Sequence, residues 1–251
     1  MRSTLTLTGA VALVALPTLL AAQSLRDRID GVSNGTVRLS FSAREGVCGN
    51  GNSVNLRRGD DEWESTCDEG PVRVSLRVRD GWIISARTRV GGRWRNDAEG
   101  TNMGMVPAAE AATTLLALAE RGDSGGDDLV FPAAIADSVT VWPVMLRIAK
   151  AERLPRKTRT SAVFWVAQAA GEAATAGLSE IVDDASGDRE VREHAVFALS
   201  QLPKDTGVPI LIQVARSNPD PGLRRKAIFW LGQSEDPRAL RFFEEVLVPG
   251  G

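Results

Sequence analysis

Apolar residues recur at helical spacing toward the end of the chain, in three similar copies. The copies are TSAVFWVAQAAGE at 160–172, REHAVFALSQLPKD at 192–205 and RKAIFWLGQSEDP at 225–237. Aligned on their first alanine, they place Ala162, Ala195 and Ala227 33 and then 32 residues apart. A period of this length is typical of helical repeat proteins, in which stacked units bury one another's apolar faces.

Capping signals predict two helices in each unit. In the last copy Asp220 and Pro221 are typical of a helix start, and Gly232 marks its end. Asp236 and Pro237 then repeat the start signal before ALRFFEEVL. The middle unit shows the same order in VREHAVFALSQ and GVPILIQVARSN. We predict three further helices upstream, in the segments PAAEAATTLLALAERG, DDLVFPAAIADS and VWPVMLRIAKAERL.

The repeated copies carry a family resemblance. The segment DPGLRRKAIFWLGQSEDPRALRFFEEVL resembles the HEAT-like repeats of the phycobilisome-lyase type. The matching positions are Asp220, Pro221, Leu223, Arg224, Ala227, Leu231, Gly232, Asp236 and Pro237. The match covers residues 155–251, and 105–154 resembles a degenerate helical repeat region. With its cysteine-containing amino-terminal part, the chain is similar to secreted bacterial HEAT-repeat proteins.

Charged pairs recur at the helix starts. Asp188 precedes Arg192, and Asp220 precedes Arg224, by four residues each. From spacing alone, each is an i,i+4 ion pair combined with a helix cap. The family resemblance implies instead a ladder of ion pairs that links successive repeats.

Residues 36–95 change to a period of two, which predicts a small β module. GTVRLSFS and PVRVSLRVRDGWIISARTRV alternate apolar and polar residues. Asp80-Gly81 lies between two alternating runs and predicts a hairpin. We expect a third strand over 36–42, a short strand over 53–56 and a linker over 96–106.

The first residues have the pattern of a secretory signal peptide. Arg2 precedes an apolar run from Leu5 to Ala22, and small residues follow. We therefore assign residues 1–23 to a signal peptide and expect the protein to be exported, to the periplasm or the exterior. The alternative is an uncleaved membrane anchor. Pro17 and the shortness of the run argue against it, so we expect no stable membrane insertion after cleavage.

Cys48 and Cys67 are the two cysteines of the chain, and export would place them in an oxidising compartment. A disulfide is the simplest interpretation. A zinc site would need four ligands, and the chain's one histidine, His194, lies far downstream. A redox pair more usually has the CxxC spacing.

Charge and composition exclude several function classes. The chain has 251 residues, with 30 basic and 32 acidic side chains, so no basic excess favours nucleic acid as a partner. His194 falls within a repeat helix where the other copies carry Ser161 and Lys226, which indicates a surface position. We predict no catalytic, cofactor-binding or metal-binding residues, and no cofactor.

A phenylalanine recurs two residues after each repeat alanine, at Phe164, Phe197 and Phe229. One interpretation is an apolar strip on the concave face that binds a partner. The other, which we favour because large apolar side chains are mostly buried, is that the rings fill gaps between units. Burial would leave the polar neighbours as the partner-binding surface, chiefly Gln201, Arg225 and Gln233.

The expected fold class is therefore mainly α: an α-solenoid of HEAT-like helix pairs preceded by a small disulfide-stapled β module. The function expected of it is a non-enzymatic protein-interaction scaffold or adaptor outside the cytoplasm, with another protein as partner. One alternative is a sensor whose β module binds a small molecule or glycan. A second is a lyase-like or cofactor-handling protein, which only the resemblance to the repeat's namesake family suggests.

Overall fold

The computed structural model describes residues 23–51, 54–56, 67–94 and 99–247. The predicted signal peptide lies outside these ranges except for its last residue, Gln23. No helix in the described part of the chain is long and apolar enough to cross a membrane.

A four-stranded sheet forms the core of the amino-terminal part. The elements are α1 (Leu25–Asp30), β1 (Gly35–Phe41), β2 (Val47–Gly49), β3 (Val54–Leu56), β4 (Val72–Arg79), β5 (Trp82–Val90) and β6 (Thr101–Met105). The sheet order is β5-β4-β1-β6, and β2 pairs with β3 in a separate ribbon. Strands β1, β4 and β5 pair antiparallel, as the hairpin signal and the predicted third strand required.

The linker predicted over 96–106 is wrong, because the strand β6 occupies its second half. β6 pairs in parallel with β1, and its Met103 is buried. The sequence TNMGM gives little strand signal, because it contains a glycine and its only apolar residues are methionines. A parallel pairing also brings together segments that are distant in the chain, so no local sequence pattern predicts it.

The predicted disulfide is present. Cys48, in β2, is bonded to Cys67, with 5.3 Å between their Cα atoms. Backbone bonds between Gly49 and Asp68 hold the same two segments together. The bridge therefore staples the small ribbon to the chain that leads into β4.

The rest of the described chain is helical. The helices are α2 (Ala108–Ala119), α3 (Asp127–Ala134), α4 (Trp142–Lys150), α5 (Arg156–Ala170), α6 (Thr175–Asp183), α7 (Arg189–Ser200), α8 (Lys204–Ser217), α9 (Pro221–Gly232) and α10 (Pro237–Leu247), with a 3₁₀ turn at Gly171–Ala174. Helices α3, α5, α7 and α9 pack side by side in one layer, and α4, α6, α8 and α10 in a second. We call the first the inner layer.

One continuous apolar core joins the sheet to the repeats. The repeat alanines Ala162, Ala195 and Ala227 are completely buried, which confirms that small residues mark close helix contacts. The inward face of the sheet contributes Val37, Leu39, Val74 and Leu76 to the same core.

The charged pairs at the helix starts link successive repeats, as the family resemblance implied. Asp188 and Asp220 cap α7 and α9 as predicted. The i,i+4 ion pairs, however, are absent among the described contacts. Arg159 pairs with Asp188 of the next unit at 3.4 Å, and Arg192 approaches Asp220 of the next unit at 3.9 Å. Each arginine lies almost buried between two units, within reach of the next unit's carboxylate.

Hydrogen bonds strengthen this ladder. Both Nε and Nη2 of Arg192 donate to the carbonyl oxygen of Val182 at 3.0 Å. The backbone N–H of Gly222, with help from nearby arginines, holds the pKa of the Asp220 carboxyl below its ordinary value. The carboxylate therefore stays ionised and available to the arginine of the preceding unit.

Candidate functional site

A row of aromatic side chains runs across the inner layer. Its members, which we call the aromatic row, are Phe131, Phe164, Trp165, Phe197, Phe229 and Trp230. Successive ring centroids lie between 4.5 and 6.1 Å apart, within the usual range of aromatic pairs. The row therefore continues without a break from α3 to α9.

The expectation that the three repeat phenylalanines are buried between units is wrong for Phe229 and is met only in part by Phe164 and Phe197, whose rings pack against a neighbouring unit. Phe164 and Phe197 are half-buried, and Phe229 is 55% exposed. The reason is angular: each helical residue turns the side chain by about 100°, so a position two residues after a buried alanine lies on the far side of the helix. The rings contact one another along the surface of the layer.

Sequence reasoning missed the two tryptophans. Trp165 stacks on Phe131 and contacts Phe164, while Trp230 lies between Phe197 and Phe229. The middle repeat carries Ala198 at the equivalent position, and this alanine is completely buried. The Phe-Trp dipeptide in two of the three copies was the sequence signal that could have indicated these tryptophans.

A cleft of about 640 Å³ opens where the sheet meets the aromatic row. Ala86 and Thr88 of β5 form one wall. The other wall contains Asp127, Asp128, Phe131, Lys157, Thr160, Ser161, Phe164, Trp165, His194 and Phe197. The cleft thus has aromatic surfaces in its interior and mixed charge at its rim. We call it the aromatic cleft.

Carboxylates fix β5 as the wall of this cleft. Asp123 accepts the backbone N–H of Ile83 at 2.7 Å, and Asp128 accepts that of Ala86 at 2.9 Å. A Cβ on Gly125 would come within 2.7 Å of the Ser85 nitrogen, so only glycine allows this approach. These contacts also cover the edge of the sheet, which would otherwise offer unpaired backbone groups.

Arg121 reinforces the same junction. Its guanidinium donates to Asp123, to the Gly81 carbonyl and to Asp30, and it lies 5.2 Å from the centre of the Trp82 ring. The hydrogen bond with Asp123 raises the pKa of Arg121 above its ordinary value despite partial burial. The sheet and the first helices are therefore held in one fixed orientation.

His194 lines the aromatic cleft but is held by the backbone. Its Nδ1 lies 2.9 Å from the carbonyl oxygen of Glu190, so this nitrogen is the donor. Ser161, on the same wall, donates to the Asp127 carbonyl. In the described part of the chain no three His, Cys, Asp or Glu residues are grouped as metal ligands would be.

The polar residues predicted to bind a partner lie apart from the aromatic cleft. Gln201 and Gln233 follow the last turns of α7 and α9 as their C-caps, and Arg225 is exposed on α9. None of the three is among the described residues that line the cleft. Their role in binding stays a prediction.

The comparison with protein families agrees with the repeat architecture. Residues 175–248 match the family model for HEAT repeats, which supports a HEAT-like repeat region in this part of the chain. HEAT repeats generally serve as protein-interaction scaffolds. Comparisons with curated proteins and with solved structures found no match.

Proposed function

We propose that this protein is a non-enzymatic interaction scaffold that acts outside the cytoplasm, and that it binds its partner along the aromatic row. The partner we infer is another protein that presents an extended segment with apolar side chains. The observation that carries the proposal is the continuity of the aromatic row across four helices of the inner layer, with five half-buried rings and an exposed Phe229.

The row combines half-buried rings with one exposed ring, Phe229, so part of its apolar surface faces solvent. Large apolar surface patches mark interaction sites in soluble proteins. Aromatic side chains also supply much of the binding energy at interfaces because they offer large contact areas with few rotatable bonds. Phe229 and its neighbour Ile228 are both exposed, so the row ends in an open apolar patch.

The chemistry of the cleft favours an extended segment over a small ligand. Its walls belong to β5 and to helices α3, α5 and α7, and the row then continues beyond them to α9. A small molecule would cover only one portion of this length. The rim carries Asp127, Asp128 and Lys157, so it provides no single charge that would select a strongly ionic partner.

Action outside the cytoplasm is supported by the sequence of residues 1–23 and by the Cys48–Cys67 bridge. Disulfides persist in oxidising compartments and are rare in the cytoplasm. We also infer, from the secreted bacterial repeat proteins that the chain resembles, that the compartment is the bacterial periplasm or exterior.

Photo-crosslinking tests the proposal. A photoreactive amino acid at position 229 should form a discrete adduct with a partner in envelope fractions. Phe197→Ser should reduce that adduct at least about fivefold while lowering stability by about 2 kcal/mol or less, since it removes two ring contacts. The matched control is position 240, where Leu240 is also well exposed but lies on α10 in the other layer.

Equal adducts from positions 229 and 240 would contradict the proposal. So would a Phe197→Ser variant that unfolds, because the ring would then belong to the core. Candidate partners identified by the adduct can be confirmed by binding measurements with the purified wild-type and Phe197→Ser proteins.

A further inference from the structure

The outer face of the four-stranded sheet concentrates positive charge. Strand alternation points Arg38, Arg73, Arg87 and Arg89 to the side opposite the buried valines and leucines. Arg73 lies directly opposite Arg89 in the β4–β5 register. Arg93 follows just after β5. We call these five residues the arginine face.

Within the described residues no carboxylate forms an ion pair with this face, although Glu99 lies near it. None of the five arginines takes part in an ion pair there. Like charges directly opposite each other on neighbouring strands destabilise a sheet. The arrangement therefore costs stability in the free protein, and an anion would remove that cost.

The Arg73 side chain is fixed without being neutralised. Its Nη2 donates to the Gly92 carbonyl at 2.9 Å and its Nε to the Gly91 carbonyl at 3.3 Å. Carbonyl oxygens orient a guanidinium but carry no net charge. A site with an arginine held in advance loses less entropy when it binds its ligand.

Trp94 forms the floor between two of the arginines. Its indole N–H donates to the Ser40 hydroxyl at 3.3 Å, and the ring centre lies 5.5 Å from the Arg38 guanidinium and 6.0 Å from that of Arg73. The Nε of Arg38 is buried and has no hydrogen-bond partner. A buried donor without a partner is uncommon, and it leaves hydrogen-bonding capacity beside the ring.

These groups converge on a pocket of about 420 Å³. All five arginines and Trp94 line it, together with Thr36 and Ser75. One carboxylate, that of Glu99, also lies in the lining and can accept a hydroxyl or amine donor. A volume of this size is typical of sites for small molecules.

We propose that the arginine face binds a small anion with two or more closely spaced acidic groups, phosphoryl or carboxyl, seated over Trp94. Each guanidinium offers several N–H donors in a planar fork that matches the oxygens of such groups. This site is separate from the aromatic cleft, because its residues lie on the opposite face of the sheet from Ala86 and Thr88.

The size and shape of the pocket favour a compact anion over a charged polymer. The arginines converge on one compact pocket, whereas polymers bind to extended basic stripes. The chain as a whole has a formal net charge of -2, so long-range attraction of a polyanion would be weak.

Calorimetric titration of the full chain tests the proposal, with sodium pyrophosphate and trisodium citrate as separate probes at one ionic strength set by sodium chloride. We expect saturable binding of at least one probe with a stoichiometry near one. Arg89→Gln and Arg87→Gln should each weaken binding about tenfold or more. Neither side chain makes a hydrogen bond among the described contacts, so both variants should fold.

Arg225→Gln is the matched control, since it removes an exposed arginine from a repeat helix, and its affinity should equal that of the wild type. Pyrophosphate binding alone would assign a phosphorylated ligand, and citrate binding alone a carboxylated one. The proposal is overturned if neither probe binds, if Arg225→Gln weakens binding as much as Arg89→Gln, or if only a polymer such as heparin binds.

Discussion

The repeats and the β module use arginine in opposite ways. In the repeats, Arg159 and Arg192 lie almost buried between units, and each faces a carboxylate of the following unit. On the sheet, Arg87 and Arg89 face outward beside other arginines and form no ion pair in the described part of the chain. The same side chain thus stabilises the fold in one region and, in our proposal, binds a ligand in the other.

The two regions also differ in how they are held together. The repeats rely on small alanines that let helices approach closely, with Ala162, Ala195 and Ala227 completely buried. The β module has a small sheet and, unlike the repeats, a covalent bridge between Cys48 and Cys67. Small elements that bury little apolar surface commonly need such a bridge.

The largest effect is expected where an arginine is placed in the repeat core without a partner. Ala195→Arg should lower the free energy of unfolding by more than about 3 kcal/mol, because it both overpacks the helix contact and buries a charge. Chemical denaturation followed by circular dichroism measures the loss. His194→Arg, at the neighbouring half-buried position, is the control and should change stability by less than about 0.5 kcal/mol. An unchanged midpoint for Ala195→Arg would contradict the repeat packing.

The second effect separates the covalent bridge from the helical packing. Replacing both cysteines by serine should cost about 3 kcal/mol, since the bridge restricts the unfolded chain over a separation of 19 residues. Helical circular dichroism under native conditions should persist, because the repeats contain no cysteine. A thiol assay should detect no free thiol in the native, unreduced protein. Two reactive thiols there would disprove the bridge.

The smallest effect compares one arginine from each region directly. Arg192→Met should cost about 2 kcal/mol, because it removes two hydrogen bonds to Val182 and the link to Asp220. Arg87→Met, on the exposed outer face of the sheet, should change stability by less than about 0.5 kcal/mol. Thermal melts of the two variants at matched concentration measure the difference. Equal losses of stability in the two variants would contradict the distinction between the arginines of the repeats and those of the sheet.

The sequence by itself determined the elements whose signals are local. The 33- and 32-residue spacing of the repeat alanines predicted the helix pairs, and the aspartate caps at Asp188 and Asp220 placed their starts. Asp80-Gly81 fixed the β4–β5 hairpin. The caps and the hairpin depend on a few neighbouring residues, and the repeat is seen by comparing three copies of one segment, so both can be recognised in the sequence.

Only the tertiary structure decided which faces meet. The parallel strand β6 depends on contact with the distant strand β1, and TNMGM alone could not show it. The aromatic row is partly open because its rings point away from the buried alanines. β5 forms a wall beside one part of it, and Phe229 is left exposed. The convergence of Arg38, Arg73 and Arg89 likewise depends on the register of three strands. How exposed a side chain is, and which distant side chains it lies beside, depend on how the layers pack together. The periodicity of a single segment does not reveal either property.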